Sequence, residues 1–168
     1  MAALKDRSPV RRAEAAKILA ELADIRSGAP LAACLKDKDV DVRRAIAAAL
    51  LKVRTPLAIS ALSSMTSDPD EKVREIARLA SQNTATVSAA EAAAGKVKSS
   101  DAAVRRDAAF TLAELRDSRC IEPLVEILST GADRDKLRAS EILGELRVPA
   151  AFDALLALWR DKNYPHRW

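Results

Sequence analysis

Aromatic residues make up only 3% of this 168-residue chain, which also holds just 4 glycines, 2 cysteines and 1 histidine. Each shortage excludes something. Sheets draw on aromatic and β-branched side chains, so their scarcity rules out a β-sandwich or barrel. The lone histidine, His166, cannot build a His-rich iron or zinc site, and Cys34 and Cys120 form neither a CxxC pair nor a metal-ligand spacing. A glycine-rich phosphate loop is missing as well. No apolar run approaches the roughly 18 residues of a membrane span, and no charged-then-apolar leader opens the chain. Neither charge sign dominates: 28 basic residues face 24 acidic ones, for a net charge of +4. A dedicated nucleic-acid module shows a larger imbalance or a clear basic patch. The expectation is a non-enzymatic chain without metal or cofactor and outside the membrane. Its two cysteines fit small apolar core positions in a reducing compartment, the cytoplasm.

What is present is helical material. Alanine (35) and leucine (20) fill about a third of the chain, and both are strong helix formers. The chain also repeats itself. Windows opened at Arg11, Val42, Val73, Val104 and Asp135 keep a constant 31-residue period without gaps. The second column reads Arg12, Arg43, Arg74, Arg105, Lys136. The fifth reads Ala15, Ile46, Ala77, Ala108, Ala139, the ninth Leu19, Leu50, Ser81, Leu112, Leu143, and the twelfth Leu22, Val53, Thr84, Leu115, Leu146. Later columns read Leu31, Leu62, Ala93, Leu124, Leu155 and Cys34, Met65, Lys96, Ile127, Leu158. A fixed period of this length is the mark of a repeat architecture.

Each window predicts two helices. Columns one, five, nine and twelve form the apolar stripe of the first. Ser8, Asp39, Asp70 and Asp101 share the column before it and are suited to cap its first N–H groups. Pro9 fits the first helical position. The second helices follow breaks at Thr55-Pro56, Asp117-Ser118 and Val148-Pro149, with Pro30 and Pro123 near their first turns. In the third repeat Ser88 to Glu91 reads as a capping box opening a helix from Ser88 to Lys98. A hairpin of 31 residues cannot bury both apolar stripes alone, whereas stacked hairpins can. The expectation is an all-α solenoid of about five two-helix repeats in one domain over 1–168. The repeats lie near 8–38, 39–69, 70–100, 101–131 and 132–162. Residues 1–7 are the remnant of a preceding half-repeat, because Leu4-Lys5-Asp6 matches Leu35-Lys36-Asp37, and 163–168 form a tail. The third repeat should be a thin layer, with Arg78 in an alanine column, Ser81 in a leucine column and an alanine-rich second helix.

The run Asp-x-x-Val-Arg-x-x-Ala-Ala-x-x-Leu-x-x-Leu, nearly complete from Asp101 to Leu115, followed by Asp117 to Leu128, resembles the short HEAT-like repeat first associated with phycobilin lyase subunits. The resemblance covers about 160 of 168 residues. It implies first helices on an outer, convex layer and second helices on an inner, concave one. It also implies work as a protein-binding scaffold. HEAT-like deoxyhypusine hydroxylases bind iron through several His-Glu pairs, which one histidine cannot supply.

Two surfaces are candidates. On the second helices, Ser60, Ser63, Ser64, Glu122, Val125, Glu126, Asp153 and Leu156 are expected to face a protein or peptide partner, with apolar anchors among charges. The basic column Arg12, Arg43, Arg74, Arg105 and Lys136, flanked by Arg11, Arg44 and Arg106, could instead track a phosphate backbone, as HEAT-like alkylpurine DNA glycosylases do with a basic face. The structural reading of that column is preferred. Its arginines are expected to hold loop carbonyls and the interleaved column Asp6, Asp37, Asp68 and Asp161, and no aromatic stacking residues accompany them. A third reading is an accessory subunit of a lyase or other enzyme. At the C-terminal end, Trp159 stands in a leucine column and is expected to plug the core, with Tyr164 and Trp168 folding over the terminal face. The ends otherwise belong to a longer solenoid or pair end to end between copies.

Overall fold

A computed structural model describes residues 2–161. Every regular element among them is helical, and the helices alternate in pairs at the 31-residue period. The first pair is α1 (Pro9–Leu22) and α2 (Gly28–Ala33). The second is α3 (Val40–Val53) and α4 (Pro56–Ser63), and the third α5 (Glu71–Ser81) and α6 (Thr84–Ala94). The fourth is α7 (Ala102–Glu114) and α8 (Ile121–Thr130), and the fifth α9 (Asp133–Glu145) and α10 (Phe152–Arg160). Short 3-10 turns precede α1, α2, α8 and α10. The chain divides into two compact units, Met1–Ala89 and Ala90–Trp168.

The caps recur with the period. Asp39, Asp70 and Asp101 accept from backbone N–H groups in the first turns of α3, α5 and α7. Ser8 departs from its column: its hydroxyl caps nothing, and its own N–H donates to Asp6 Oδ1 at 2.8 Å, with Pro9 already supplying the helical φ. The corner after each first helix has a repeat of its own. Ala23, Arg54, Arg116 and Arg147 all sit in the left-handed region, at φ 49, 51, 57 and 51°. The next residue then caps the following turn in three of the pairs: Asp24, Thr55 and Asp117. Pro30 and Pro123 fall in the first turns of α2 and α8, so they start those helices and do not kink them.

The third pair breaks this corner. Ala85, the column mate of the left-handed residues, lies inside α6, which starts at Thr84 and not at Ser88 as the capping-box reading expects. The cause lies in α5. Ser81 and Thr84 stand where buried Leu50 and Val53 anchor the last turn of α3 and where Leu112 and Leu143 anchor α7 and α9, so α5 ends early and α6 starts almost at once.

In the first unit, α1 lies along α3 and α3 along α5, while α2 packs on α4 and α4 on α3 and α5. Fully buried Val42, Ile46, Ala47, Leu50 and Ala58 fill the space between them. The alanine column, with Ala16 and Ala47 at 0% exposure, lets first helices approach closely. Gly28 is needed for the same reason on the other layer, since a Cβ there would meet Thr55 Oγ1 at 2.6 Å. In the second unit α8 packs on α7, α9 and α10, and the core centres on Leu112, Leu124, Leu143, Ala109 and Cys120. The guanidinium of Arg138 stands 4.2 Å from the centre of the Phe110 ring, tying α9 to α7.

Three positions match or depart from expectation in informative ways. Arg78 and Lys96 are exposed, and α6 buries only Ala90 and Ala93, so the third pair is as thin as its sequence suggests. At about 25 cal/mol per Å² of apolar area, that layer gains less from stacking than the fourth pair, which buries Phe110, Leu112, Leu124, Ile127 and Leu128. Hydrogen exchange is therefore expected to be faster in residues 78–98 than in α7 and α8; equal protection would contradict this. Trp159 is not a core plug. It is 55% exposed while its column mates Leu35 and Leu128 are each 3% exposed, because it stands on the last helix of the series and no further hairpin lies beyond it among the described residues. Tyr164, His166 and Trp168 fall outside the described residues.

Candidate functional site

The arginine column is built into the stack from within. In each of the first four hairpins the arginine reaches back from the first turn of its helix, and Nη1 donates to two carbonyls of the preceding loop. Arg12 takes Asp6 O and Arg7 O at 2.9 and 3.2 Å, and Arg43 takes Asp37 O and Lys38 O at 3.0 and 3.4 Å. Arg74 takes Asp68 O and Pro69 O, both at 2.8 Å, and Arg105 takes Ser99 O and Ser100 O at 2.8 and 3.0 Å. A carbonyl pair near a helix start is awkward to satisfy otherwise, and one rigid guanidinium does it.

The first two arginines also reach the next hairpin. Arg12 donates through Nε and Nη2 to both oxygens of Asp37, at 2.7 and 2.8 Å. Arg43 does the same to Asp68, at 3.0 and 3.3 Å. Each aspartate in turn accepts the N–H two residues on, from Asp39 at 2.9 Å and Asp70 at 2.8 Å. One carboxylate thus closes its own loop and receives the arginine of the preceding hairpin. Such bidentate, charge-assisted bonds are the strong class. A second tie lies beside it: Arg44 donates to Asp70, the capping residue of α5, at 2.5 and 3.1 Å.

These bonds hold Asp37 and Asp70 ionised. The Arg12 guanidinium keeps Asp37 below the ordinary carboxylate range, and Arg44 brings Asp70 down to about 2. Asp6 is lowered chiefly by the Ser8 N–H. Because the folded values lie under the unfolded value of about 3.9, these groups stabilise the fold above that pH. Their contribution is lost as the pH falls through the folded values. Thermal unfolding followed across pH is therefore expected to show a decline between about 4 and about 2, reduced in Asp70→Asn; a midpoint insensitive to that window would contradict the assignment.

The second-helix candidates are placed differently. Ser60, Ser64, Glu122, Glu126 and Asp153 are exposed, and Ser63, Val125 and Leu156 are half-buried. Two of the serine hydroxyls are already used, Ser63 donating to Ile59 O at 2.8 Å and Ser64 to Ala61 O at 2.7 Å. The column mates Val125 and Leu156 are less open than anchors rimmed by charge would be. The two candidate sets meet in the second unit, where Arg105 and Glu126 line one cleft of about 270 Å³. A neighbouring cleft of about 740 Å³ shares Val97, Pro123 and Glu126 with it and adds Glu122. Lys136 lines a third with Asp161, the aspartate 25 residues on.

Sequence reasoning passed over Val97, Pro123, Ile127 and Thr130 in the first of these clefts. The signal was present: the aspartate column read in full is Asp6, Asp37, Asp68, Ser99, Thr130, Asp161, and its two non-acidic members mark where the ladder loses a carboxylate. The two cysteines are free thiols packed into the helices. Cys120 is fully buried, and burial pushes its thiol up to about 12, while Cys34 is half-buried with its Sγ 3.9 Å from Leu4 O. Among the described residues no group of three or more His, Cys, Asp and Glu side chains is placed to hold a metal ion, and no described helix is long and apolar enough to cross a membrane.

No curated protein matches the chain. Among solved structures, the crystal structure of an engineered protein is similar at 20% identity, over 93% of this chain and 82% of that one, with a TM-score of 0.39. The family model for HEAT repeats matches residues 1–82 and 89–168. Matched over nearly its whole length, and built of paired helices repeating every 31 residues, the chain belongs to the HEAT repeat family.

Proposed function

We propose that this chain is a non-catalytic scaffold that presents the exposed faces of its second helices, the layer expected to be concave, to a protein or peptide, through α4 in the first unit and α8 and α10 in the second. HEAT repeats commonly serve as protein-interaction scaffolds, and that membership supports the class. The observation that carries the reading is the division of labour between the two candidate surfaces. Arg12 and Arg43 are occupied by their own loops and aspartates, and Arg74 and Arg105 are tied by one edge to loop carbonyls, which leaves the column poorly suited to a phosphate backbone. Ser60, Glu122, Glu126 and Asp153 instead stand open on the other layer. Recognition spread over several repeats makes single surface changes cheap, so the test needs a combined one.

Affinity capture with the full chain, compared with the variant Ser60→Lys, Glu122→Lys, Asp153→Lys, decides the matter. A protein held by the natural chain and lost from the variant is expected. Capture that ignores all three changes would overturn the choice of surface. Tight, salt-sensitive binding of duplex or single-stranded nucleic acid in an anisotropy titration would favour the arginine column instead. Capture of an enzyme would make the chain the accessory subunit of that complex, using the same surface.

A further inference from the structure

Arg105 repeats half of what Arg12 and Arg43 do. Its Nη1 holds Ser99 O and Ser100 O, as theirs hold the loops before α1 and α3. The other edge differs. Nε and Nη2 of Arg12 and Arg43 meet both oxygens of the aspartate 25 residues on. For Arg105 that position is Thr130, whose hydroxyl donates to Glu126 O at 3.0 Å. The nearest carboxylate oxygen to the Arg105 guanidinium is on Glu126, 4.0 Å away and on a side chain 60% exposed. The Arg105 side chain is 33% exposed, against 8% for Arg12 and 14% for Arg43. Arg105 and Thr130 line the same cleft, and Val97, Pro123 and Ile127 give it apolar walls. Its other cation, Arg106, is engaged by Asp107 at 2.8 Å and Asp135 at 3.5 Å.

We infer that this cleft binds an aspartate or glutamate side chain of a protein partner, its carboxylate bidentate on Arg105 in the place that Asp37 and Asp68 fill on Arg12 and Arg43. An apolar residue next to that acid lies against Val97, Pro123 and Ile127. The inference rests on the scaffold reading and names the chemistry of what the scaffold holds. Size supports it: about 270 Å³ is below the roughly 300–1,000 Å³ of whole small-molecule sites and accommodates one or two side chains. Geometry supports it too, in a cleft lined by two arginines and by Glu126 and Asp135, the latter taken up by Arg106. A planar guanidinium with one edge tied to carbonyls presents the other in the fixed fork that matches a carboxylate. Glu126, held at 4.0 Å on the surface, is readily displaced.

The test uses the full chain labelled with ¹⁵N, observed through its backbone and arginine Nε signals. It is titrated with the blocked peptide acetyl-Ala-Leu-Glu-Leu-Ala-amide, with the same peptide carrying Gln for Glu, and with inorganic phosphate. The glutamate peptide is expected to move Arg105 Nε and the amides of Thr130 and Gly131 and to bind about 10-fold more tightly than the glutamine peptide. Arg105→Gln should remove that preference. Thr130→Asp, which restores the ladder's carboxylate in place, should move Arg105 Nε without peptide and weaken the peptide by a similar factor. Equal binding of the two peptides, no binding of either, or phosphate binding as tightly as the glutamate peptide at the same signals would overturn the inference. So would peptide binding untouched by Thr130→Asp. Failure here is distinct from failure of the scaffold reading: a partner captured equally by the natural chain, Arg105→Gln and Thr130→Asp leaves the scaffold standing without this site.

Discussion

Leu112→Ala is expected to destabilise the chain by about 2–5 kcal/mol, and Leu143→Ala by a similar amount. Both occupy the ninth column of their windows and are 0% and 1% exposed. The loss has two parts. Removing three buried carbons forfeits their transfer free energy, at about 0.8 kcal/mol per methylene. The hole they leave costs more wherever the surroundings cannot close, and close-packed helices close poorly. Leu112 on α7 shares its interior with fully buried Cys120 and Leu124, and Leu143 on α9 lies in the same unit. The exposed neighbour Thr111, whose hydroxyl donates to Asp107 O, is the control; Thr111→Ala is expected to change little. Chemical denaturation measures all three. Neutral results at both leucines would place the ninth column outside the core and dissolve the stacking account.

Asp68→Ala is the second large effect expected, at about 3 kcal/mol. Asp68 is 6% exposed and accepts from Arg43 Nε, Arg43 Nη2 and the Asp70 N–H. Alanine leaves the Arg43 guanidinium, on a side chain 14% exposed, without its counter-charge, and the loop before α5 without its closing bond. The cost is mostly that of the orphaned charge, and so it exceeds the net worth of the pair. Ser99→Ala, at the matching place before α7, removes only a neutral acceptor of the Asp101 N–H at 3.2 Å and is expected to cost about 1 kcal/mol or less. Similar losses at the two positions would mean that the carboxylate is incidental and that the loop bond alone matters.

The first hairpins were legible in the sequence because their essential parts are single side chains recurring once per period. The Asp caps, the Leu and Ala columns and the Arg-to-Asp ladder of Arg12, Arg43, Asp37 and Asp68 can be read by alignment of the chain with itself. The corners were not legible. Left-handed backbone is usually announced by glycine or asparagine, and here it is taken by Ala23, Arg54, Arg116 and Arg147, which give no such signal. The start of α6 was misread because a good local cap at Ser88 competes with a helix that the shortened α5 allows to begin sooner. The exposure of Trp159 escapes the sequence because column identity reports what a position does when a neighbour follows it, and among the described residues none follows α10. The open edge of Arg105 lay between the two readings: Thr130 in an aspartate column is visible, but that it and the arginine share a cleft is not.

Underlying all of this is the dependence of each hairpin on the next. An isolated peptide of residues 38–70, carrying α3, α4 and the capping aspartates Asp39 and Asp70, measures it directly by far-ultraviolet circular dichroism and sedimentation. The account predicts a monomer with little helix and no cooperative melting, since Val42, Ile46 and Leu50, each 0% exposed in the chain, would face water. A monomeric peptide that is fully helical and melts cooperatively would contradict it.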